Sequence, residues 1–189
     1  MSLQVAVVPP VPALLSDYAG RTDPVTDLRA ACTEAVDWLV ADAPARVVVL
    51  CDPPSAVDVS RGITTSLGER VGRELLRSAS YDGQVEVEGD EPTHLLVLAN
   101  GSARRGTNAP GHLDERAFGF DDEVRAALTS ADPRLLRALD VALGEVLLAT
   151  GIEALQRASQ HVVGACAVQV LHDADPFGVQ YWVATWSCR

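Results

Sequence analysis

The segments Gln4-Val-Ala-Val-Val8 and Arg46-Val-Val-Val-Leu50 are two short β-branched runs, and proline follows each of them closely. Their length and apolar character predict two strands that are buried on both faces of a sheet. Residues 27–41 place apolar side chains at helical spacing, with Thr26 as the expected N-cap and Pro44 beyond the end. The order strand, helix, strand predicts a parallel βαβ unit with a right-handed connection.

The remaining chain extends this unit into an α/β domain. We expect a helix over 67–80, a short edge strand around Val85 and Val87, and a third buried strand from His94 to Ala99. Short helices are predicted at 121–128, 133–139, 141–149 and 152–160, with Asp132 and Asp140 as caps. The β-rich runs 162–171 and 179–185 flank a turn and predict an antiparallel hairpin. The fold class is therefore three-layer αβα with a mixed, mainly parallel sheet, in one domain over residues 1–189.

Composition excludes several classes of function. The net charge of −11 and the pI near 4.6 disfavour nucleic acid as a partner. All 15 basic residues are arginine, so a P-loop lysine and a Schiff-base lysine are absent. No apolar run approaches the roughly 18 residues that span a bilayer, and the first residues carry no basic leader. We expect a cytoplasmic protein that does not interact with membranes.

The four cysteines, Cys32, Cys51, Cys166 and Cys188, are far apart in sequence and form no Cys-x-x-Cys motif. This spacing suggests neither a zinc site nor a disulfide framework. We expect reduced, mostly packed thiols. Cys51 follows a strand directly, but no histidine is close in sequence to activate it as a nucleophile.

The segment from Asn100 to Gly119 has no periodicity and is rich in Gly, Asn, Pro and Arg, which is typical of a functional or mobile loop. In open α/β sheets, ligands bind beyond the carboxyl ends of the parallel strands. We therefore expect residues 9–12, 51–55 and 100–105 to converge. Asn100, Ser102, Arg104 and Arg105 are the candidate ligand-binding residues, as a backbone nest with a guanidinium clamp. The competing interpretation is that these arginines balance nearby carboxylates.

Histidines in the loop and in the terminal turn suggest two further sites. His112 and Asp114 are candidates for a catalytic base with an orienting carboxylate, although a loop-stabilising hydrogen bond is the alternative. His112, His172 and the carboxylates Asp173 and Asp175 are the candidate ligands of a relocated metal site, against an ordinary turn at 172–178. His94 lies at the opposite end of its strand and is expected to be structural or solvent-facing.

Four separated segments resemble one family in the same order. They are Val7-Val-Pro-Pro-Val-Pro-Ala-Leu-Leu15, Asn100-Gly-Ser-Ala-Arg-Arg105, Ala109-Pro-Gly-His-Leu-Asp-Glu-Arg116, and the ending from Asp173 to Trp186. They resemble the LigB-like family of class III extradiol ring-cleavage dioxygenases, to which Memo-like proteins are related. The resemblance implies the α/β fold and an Fe(II) site made of two histidines and a carboxylate.

The sequence departs from this family at the iron site. Pro10 stands where the first histidine is expected, and Cys51-Asp-Pro-Pro54 stands where the second is expected. Ser102-Ala-Arg104 replaces the Ser-His pair that the family often places after the third strand. The resemblance therefore supports the fold and leaves the dioxygenase activity without its ligands, so no cofactor is expected.

Three hypotheses of function follow. The first is a LigB-like protein with a degenerate iron site that binds a small anionic or aromatic ligand near Asn100 to Asp114. The second is a metal-dependent dioxygenase or hydrolase that uses Fe(II) at a relocated His and Asp site. The third is a non-catalytic protein that associates into a homo-oligomer through an exposed apolar patch involving Trp182 or Trp186.

Overall fold

The computed structural model describes residues 2–18 and 22–189 and contains one six-stranded sheet. The strands are β1 (Leu3–Val8), β2 (Arg46–Leu50), β3 (Gln84–Val87), β4 (His94–Leu98), β5 (Cys166–Ala174) and β6 (Tyr181–Cys188). Their order across the sheet is β3-β2-β4-β1-β6-β5. Pairing is parallel between β1 and β4, β2 and β4, and β2 and β3, whereas β6 pairs antiparallel with both β1 and β5. The predicted mixed, mainly parallel sheet is confirmed.

Helices cover both faces of the sheet. They are α1 (Thr26–Leu39), α2 (Ala56–Ser60), α3 (Leu67–Ser78), α4 (Arg116–Ser130), α5 (Pro133–Ala138), α6 (Val141–Val146) and α7 (Ile152–Ala158). Two short 3-10 helices, Pro12–Leu14 and Ser16–Tyr18, follow β1. Within residues 2–18 and 22–189, none of the helices combines the length and the apolar character needed to cross a membrane.

The central strand β1 shows how the three layers form. Successive side chains of a strand point to opposite faces. Val5 and Val7 therefore pack in one core with α4, α5 and α7, and Ala6 and Val8 pack in the other core with α1 and α3. All four of these side chains are fully buried. The chain is thus a three-layer αβα structure, as its apolar runs predict.

Most predicted elements lie within a few residues of their expected bounds, and the differences have local causes. Asp132 and Asp140 cap α5 and α6 as predicted, accepting hydrogen bonds from the amides of Arg134 and Leu143. Thr26 is the first residue of α1 instead of its cap. The helix α4 begins before the predicted residue 121, at Arg116, and the helix α2 was not predicted. No residue of α2 is buried, so it has no apolar periodicity to reveal it.

Two buried aromatic residues bear on the association hypothesis. Trp182 is 2% exposed and Trp186 is fully buried, and the indole of Trp186 donates a hydrogen bond of 3.0 Å to the Leu128 carbonyl oxygen. The predicted surface patch involving Trp182 or Trp186 is therefore wrong, because β6 is an internal strand covered by α4. His94 is also buried and bonds Asp42 at 3.0 Å, as expected for a structural residue.

Cys166 and Cys188 form a disulfide between β5 and β6. The expectation that all cysteines are reduced is wrong for this pair, because the hairpin register places the two residues directly opposite each other. Cys32 and Cys51 are buried free thiols, as expected. Disulfides are uncommon in the cytosol, so this bond disfavours the predicted cytoplasmic location. The location itself stays a prediction.

Removal of this disulfide should destabilise the hairpin edge of the sheet. The bond joins residues separated by 22 positions, for which loop-closure entropy gives about 3 kcal/mol of stabilisation. We expect the double variant Cys166→Ser, Cys188→Ser to unfold at lower urea concentration, with a loss of unfolding free energy of that order. Dithiothreitol should lower the urea concentration at the unfolding midpoint of the wild type and leave the midpoint of the double variant unchanged. A wild-type midpoint insensitive to the reductant would contradict the assignment.

Candidate functional site

A cavity lies where the parallel strands β1, β2 and β4 end. It has a volume of about 280 Å³ and is lined by Pro10, residues 51–55, Asp58, residues 66–68, Leu98, Thr150 and Gly151. The segments after β1 and β2 thus converge as predicted. The third predicted segment, residues 100–105, does not line this cavity. Thr150 and Gly151 take that position, because the start of α7 packs over the end of β4.

A second cavity of about 250 Å³ adjoins the first at residues 52–55, which line both. Its remaining lining residues come from α6, α7 and the segment between them: Val141, Glu145, Ala149, Ile152 and Glu153. We refer to the two cavities together as the Asp52 cleft. The position of this cleft, at the carboxyl ends of adjacent parallel strands, is where open α/β sheets commonly bind ligands.

Asp52 is the acidic residue common to both cavities. Its Oδ2 accepts a hydrogen bond of 2.6 Å from the Gly151 amide, which ties the end of β2 to the start of α7. Burial raises the pKa of the Asp52 carboxyl, against the opposing effects of the Gly151 amide and of Arg157, while the charges of Glu153 and Glu145 also raise it. Gly151 has φ of +76°, and a Cβ there would lie 2.0 Å from the Leu98 carbonyl oxygen, so the contact requires glycine.

Cys51 contributes packing to this site and is poorly suited to be a nucleophile. The thiol is 4% exposed and lies 3.4 Å from the Ser66 hydroxyl. Burial raises the pKa of Cys51, which disfavours the reactive thiolate. A Cβ on Gly68 would lie 2.7 Å from Cys51 Cβ, so α3 approaches β2 closely here. The prediction of a packed thiol is confirmed.

Asn100, Ser102 and Arg105 form side-chain hydrogen bonds within the fold, whereas the buried Nε of Arg104 has no hydrogen-bond partner among the described residues. Asn100 Oδ1 accepts a hydrogen bond of 3.0 Å from the Thr150 amide. Ser102 is fully buried, and its hydroxyl donates to the Leu147 carbonyl oxygen at 3.0 Å and accepts from the Arg104 amide. These contacts anchor the loop to the helical layer. Ligand contact by Asn100, Ser102, Arg104 and Arg105 stays a prediction.

Arg105 forms ion pairs with two carboxylates, in agreement with the alternative interpretation that the loop arginines balance nearby acidic residues. Its Nη1 donates to Asp121 Oδ2 at 2.9 Å and its Nε donates to Asp175 Oδ2 at 2.8 Å. The guanidinium also stacks over the Phe118 ring, 4.8 Å from the centroid. Asp121 is fully buried, and its Oδ1 also accepts a hydrogen bond from the Ser102 amide. The guanidinium is thus a structural partner of a buried carboxylate.

The histidine candidates are dispersed. Both oxygens of Asp114 accept hydrogen bonds from Arg116, which lowers the pKa of Asp114 to about 2, so this carboxylate does not orient His112. Asp173 pairs with Arg125, and His172 lies on β5 against the start of α1. In the part of the chain that the structure describes, no three His, Cys, Asp or Glu side chains are placed to hold a metal ion. The geometry does not assemble the relocated site.

Sequence reasoning placed Asp52 in the converging segment 51–55 without naming it as a site residue, and it missed Glu145, Glu153 and the Thr150-Gly151 pair. Asp52 lies directly beyond a buried parallel strand, and that position was the signal that could have identified it. Glu145 and Glu153 carried no such signal, because they lie on short helices far along the chain.

Replacement of Asp52 by Asn should change how stability depends on pH. Folding raises the pKa of the Asp52 carboxyl. Such a group stabilises the folded state at pH values below the ordinary carboxyl pKa, and this stabilisation is lost as the pH rises through the pKa of the folded state. Because Asn does not ionise, Asp52→Asn should become more stable relative to the wild type as pH rises from about 4 to about 7. Urea unfolding at both pH values measures this gap, with the exposed Asp37→Asn as the matched control. A gap that stays constant or shrinks would refute the assigned pKa direction.

Comparison with known proteins does not assign the chain to a family. No protein-family model matches it, and no curated protein matches it significantly. The similarity of the four segments to LigB-like proteins therefore remains a prediction from the sequence. What the structure establishes is the three-layer α/β architecture and the geometry of the Asp52 cleft.

Proposed function

We propose that the chain is a small-molecule-binding protein of LigB-like ancestry, with a degenerate iron site, and that it binds a small aromatic ligand in the Asp52 cleft. The observation that carries this proposal is a cavity of about 280 Å³ at the carboxyl ends of β1, β2 and β4. Binding sites of small molecules are concave and mostly apolar, with few fixed polar groups. Pro10, Leu67 and Leu98 provide apolar lining, and Asp52 provides the fixed polar group.

The side chains of the cleft do not fit the family's Fe(II) site. Such a site takes two histidines and one carboxylate. Among the described residues that line the two cavities, carboxylates are present and no histidine is. Pro10, which stands at the first expected ligand position, lines the first cavity and offers no donor atom from its side chain. The proposed function is therefore one of binding, and iron has no role in it.

Of the two predicted ligand classes, anionic and aromatic, the charges and apolar lining of the cleft favour the aromatic one. Asp52 and Asp58 line the first cavity, and both would repel a carboxylate or phosphate. The arginines expected to hold an anion lie elsewhere, and Arg105 is paired with Asp121 and Asp175. An aromatic ring can pack against the proline and leucine side chains, while a hydroxyl donates to the carboxylate of Asp52.

A titration with phenol and catechol tests the proposal, monitored by ligand-observed NMR. For ligands of this size we expect dissociation constants on the order of 1 mM. Leu67→Trp adds a bulky ring at the cavity wall and should weaken binding at least about tenfold, a change of roughly 1.4 kcal/mol. Leu135→Trp is the matched control, because Leu135 is similarly exposed, on α5, and lines neither cavity. If the two variants bind the probes equally well, the site lies elsewhere. If neither phenol nor catechol gives saturable binding to the wild type, the result counts against the proposal.

A further inference from the structure

The charges of the Asp52 cleft all have one sign. Asp52 and Asp58 line the first cavity, and Asp52, Glu145 and Glu153 line the second. Among the described residues that line either cavity, none is Arg or His, and the chain contains no Lys. Low-dielectric walls around charges of one sign concentrate the field and raise the local concentration of ions of opposite sign. The cleft therefore favours a cation.

Asp52 is oriented to receive such a cation. Its Oδ2 is held by the Gly151 amide at 2.6 Å, so the carboxylate cannot rotate freely. Its Oδ1 forms no hydrogen bond within the part of the chain that the structure describes and is left for a donor in the cleft. A carboxylate that is fixed before binding loses little conformational entropy when a ligand arrives, which favours affinity.

The surrounding charges act on Asp52 in both directions, and Arg157 has a larger effect on its pKa than either Glu153 or Glu145 has. Glu145 and Glu153 are exposed and act on Asp52 from α6 and α7. Arg157 opposes them, but it pairs with Glu88 and donates a hydrogen bond of 2.7 Å to the Cys51 carbonyl oxygen. The guanidinium of Arg157 lines neither cavity. A cation at Asp52 would thus lie in the field of two further carboxylates from the adjoining second cavity, with no basic side chain in the lining of either cavity.

The rest of the first cavity is largely apolar. Pro10, Pro53, Pro54, Leu67 and Leu98 line it beside Asp52. A hydrated metal ion would leave these surfaces without a partner, whereas an organic cation would cover them. Burial of apolar area contributes roughly 25 cal/mol per Å², so the lining favours a ligand with an apolar group next to its charge.

We infer that the ligand of the Asp52 cleft is a small organic ammonium ion, with its ammonium group on Asp52 and its apolar group against Pro10, Leu67 and Leu98. The inference rests on the proposed binding function and names the ligand class of that same site. The acidic wall formed by Glu145 and Glu153 selects for the positive charge. The proline and leucine side chains select for the apolar group.

Three probes with the same phenyl group and different charges test the inference: 2-phenylethylamine, 2-phenylethanol and phenylacetate. Each is titrated into the wild type at neutral pH and low salt, where the amine is cationic, and binding is measured by ligand-observed NMR. We expect the amine to bind at least about fivefold more tightly than the alcohol, and phenylacetate to bind most weakly. Sodium chloride at about 0.5 M should reduce the preference for the amine, because salt screens exposed carboxylates.

The double variant Glu145→Gln, Glu153→Gln should bind the amine about threefold more weakly or worse, and its affinity for the alcohol should be unchanged. The reason is that only the cation interacts with the two charges. The control Glu34→Gln, Glu123→Gln removes the same number of charges from exposed positions on α1 and α4 that line neither cavity. It should leave both affinities unchanged. A general effect of net charge would instead appear in both double variants and would contradict the inference.

The outcomes separate this inference from the proposed function. If all three probes bind equally, and the variant with altered Glu145 and Glu153 behaves as the wild type, the cation inference fails and small-molecule binding stands. If phenylacetate binds best, the assigned sign of the site is wrong. If none of the three probes binds at concentrations up to about 10 mM, where millimolar affinities are detectable, both proposals are overturned.

Discussion

The pairing of β1 on both of its edges is the constraint on which the rest of the structure depends. β1 runs parallel to β4 on one side and antiparallel to β6 on the other, and its side chains are buried in both cores. The parallel side places the ends of β1, β4 and β2 at one edge of the sheet. The antiparallel side holds the terminal hairpin, whose far strand is joined to β6 by the disulfide. The position of the Asp52 cleft follows from the first of these pairings.

The cleft combines chain segments that are far apart in sequence. The Asp52 to Gly151 hydrogen bond spans 99 positions and joins the sheet to the helical layer at the point where both cavities meet. The carboxyl group of Asp52 is partly buried and has one bonded oxygen, and withdrawing such a group from water costs free energy unless it is used or neutralised. In this fold its neighbours are mainly acidic and apolar, so the chemistry of the cleft suits a ligand that brings a hydrogen-bond donor. That balance of charge and apolar surface, and not the fold alone, is the basis of the proposed function.

Sequence reasoning predicted what depends on local periodicity and missed what depends on tertiary contact. The apolar runs indicated β1, β2 and β4, and the Asp residues before α5 and α6 indicated their caps. The Cys166–Cys188 bond and the burial of Trp182 depend on hairpin register and on packing by α4, which no spacing rule states. The loop arginines were expected either to hold a ligand or to balance nearby carboxylates, and Arg105 balances the buried Asp121, a partner that sequence alone could not identify. The relation to LigB-like proteins remains a prediction.

The most direct test of the Asp52 cleft as a cation-binding site is a map of backbone amide chemical-shift changes on addition of 2-phenylethylamine to the ¹⁵N-labelled protein. We predict that the changes cluster at the amides of Asp52 and Ser55 and of residues 66–68 and 150–153, in the segments that form the cleft. Changes concentrated at residues 100–114, with the cleft unaffected, would contradict this claim. That result would return the ligand site to the loop and leave the Asp52 to Gly151 contact as a purely structural connection.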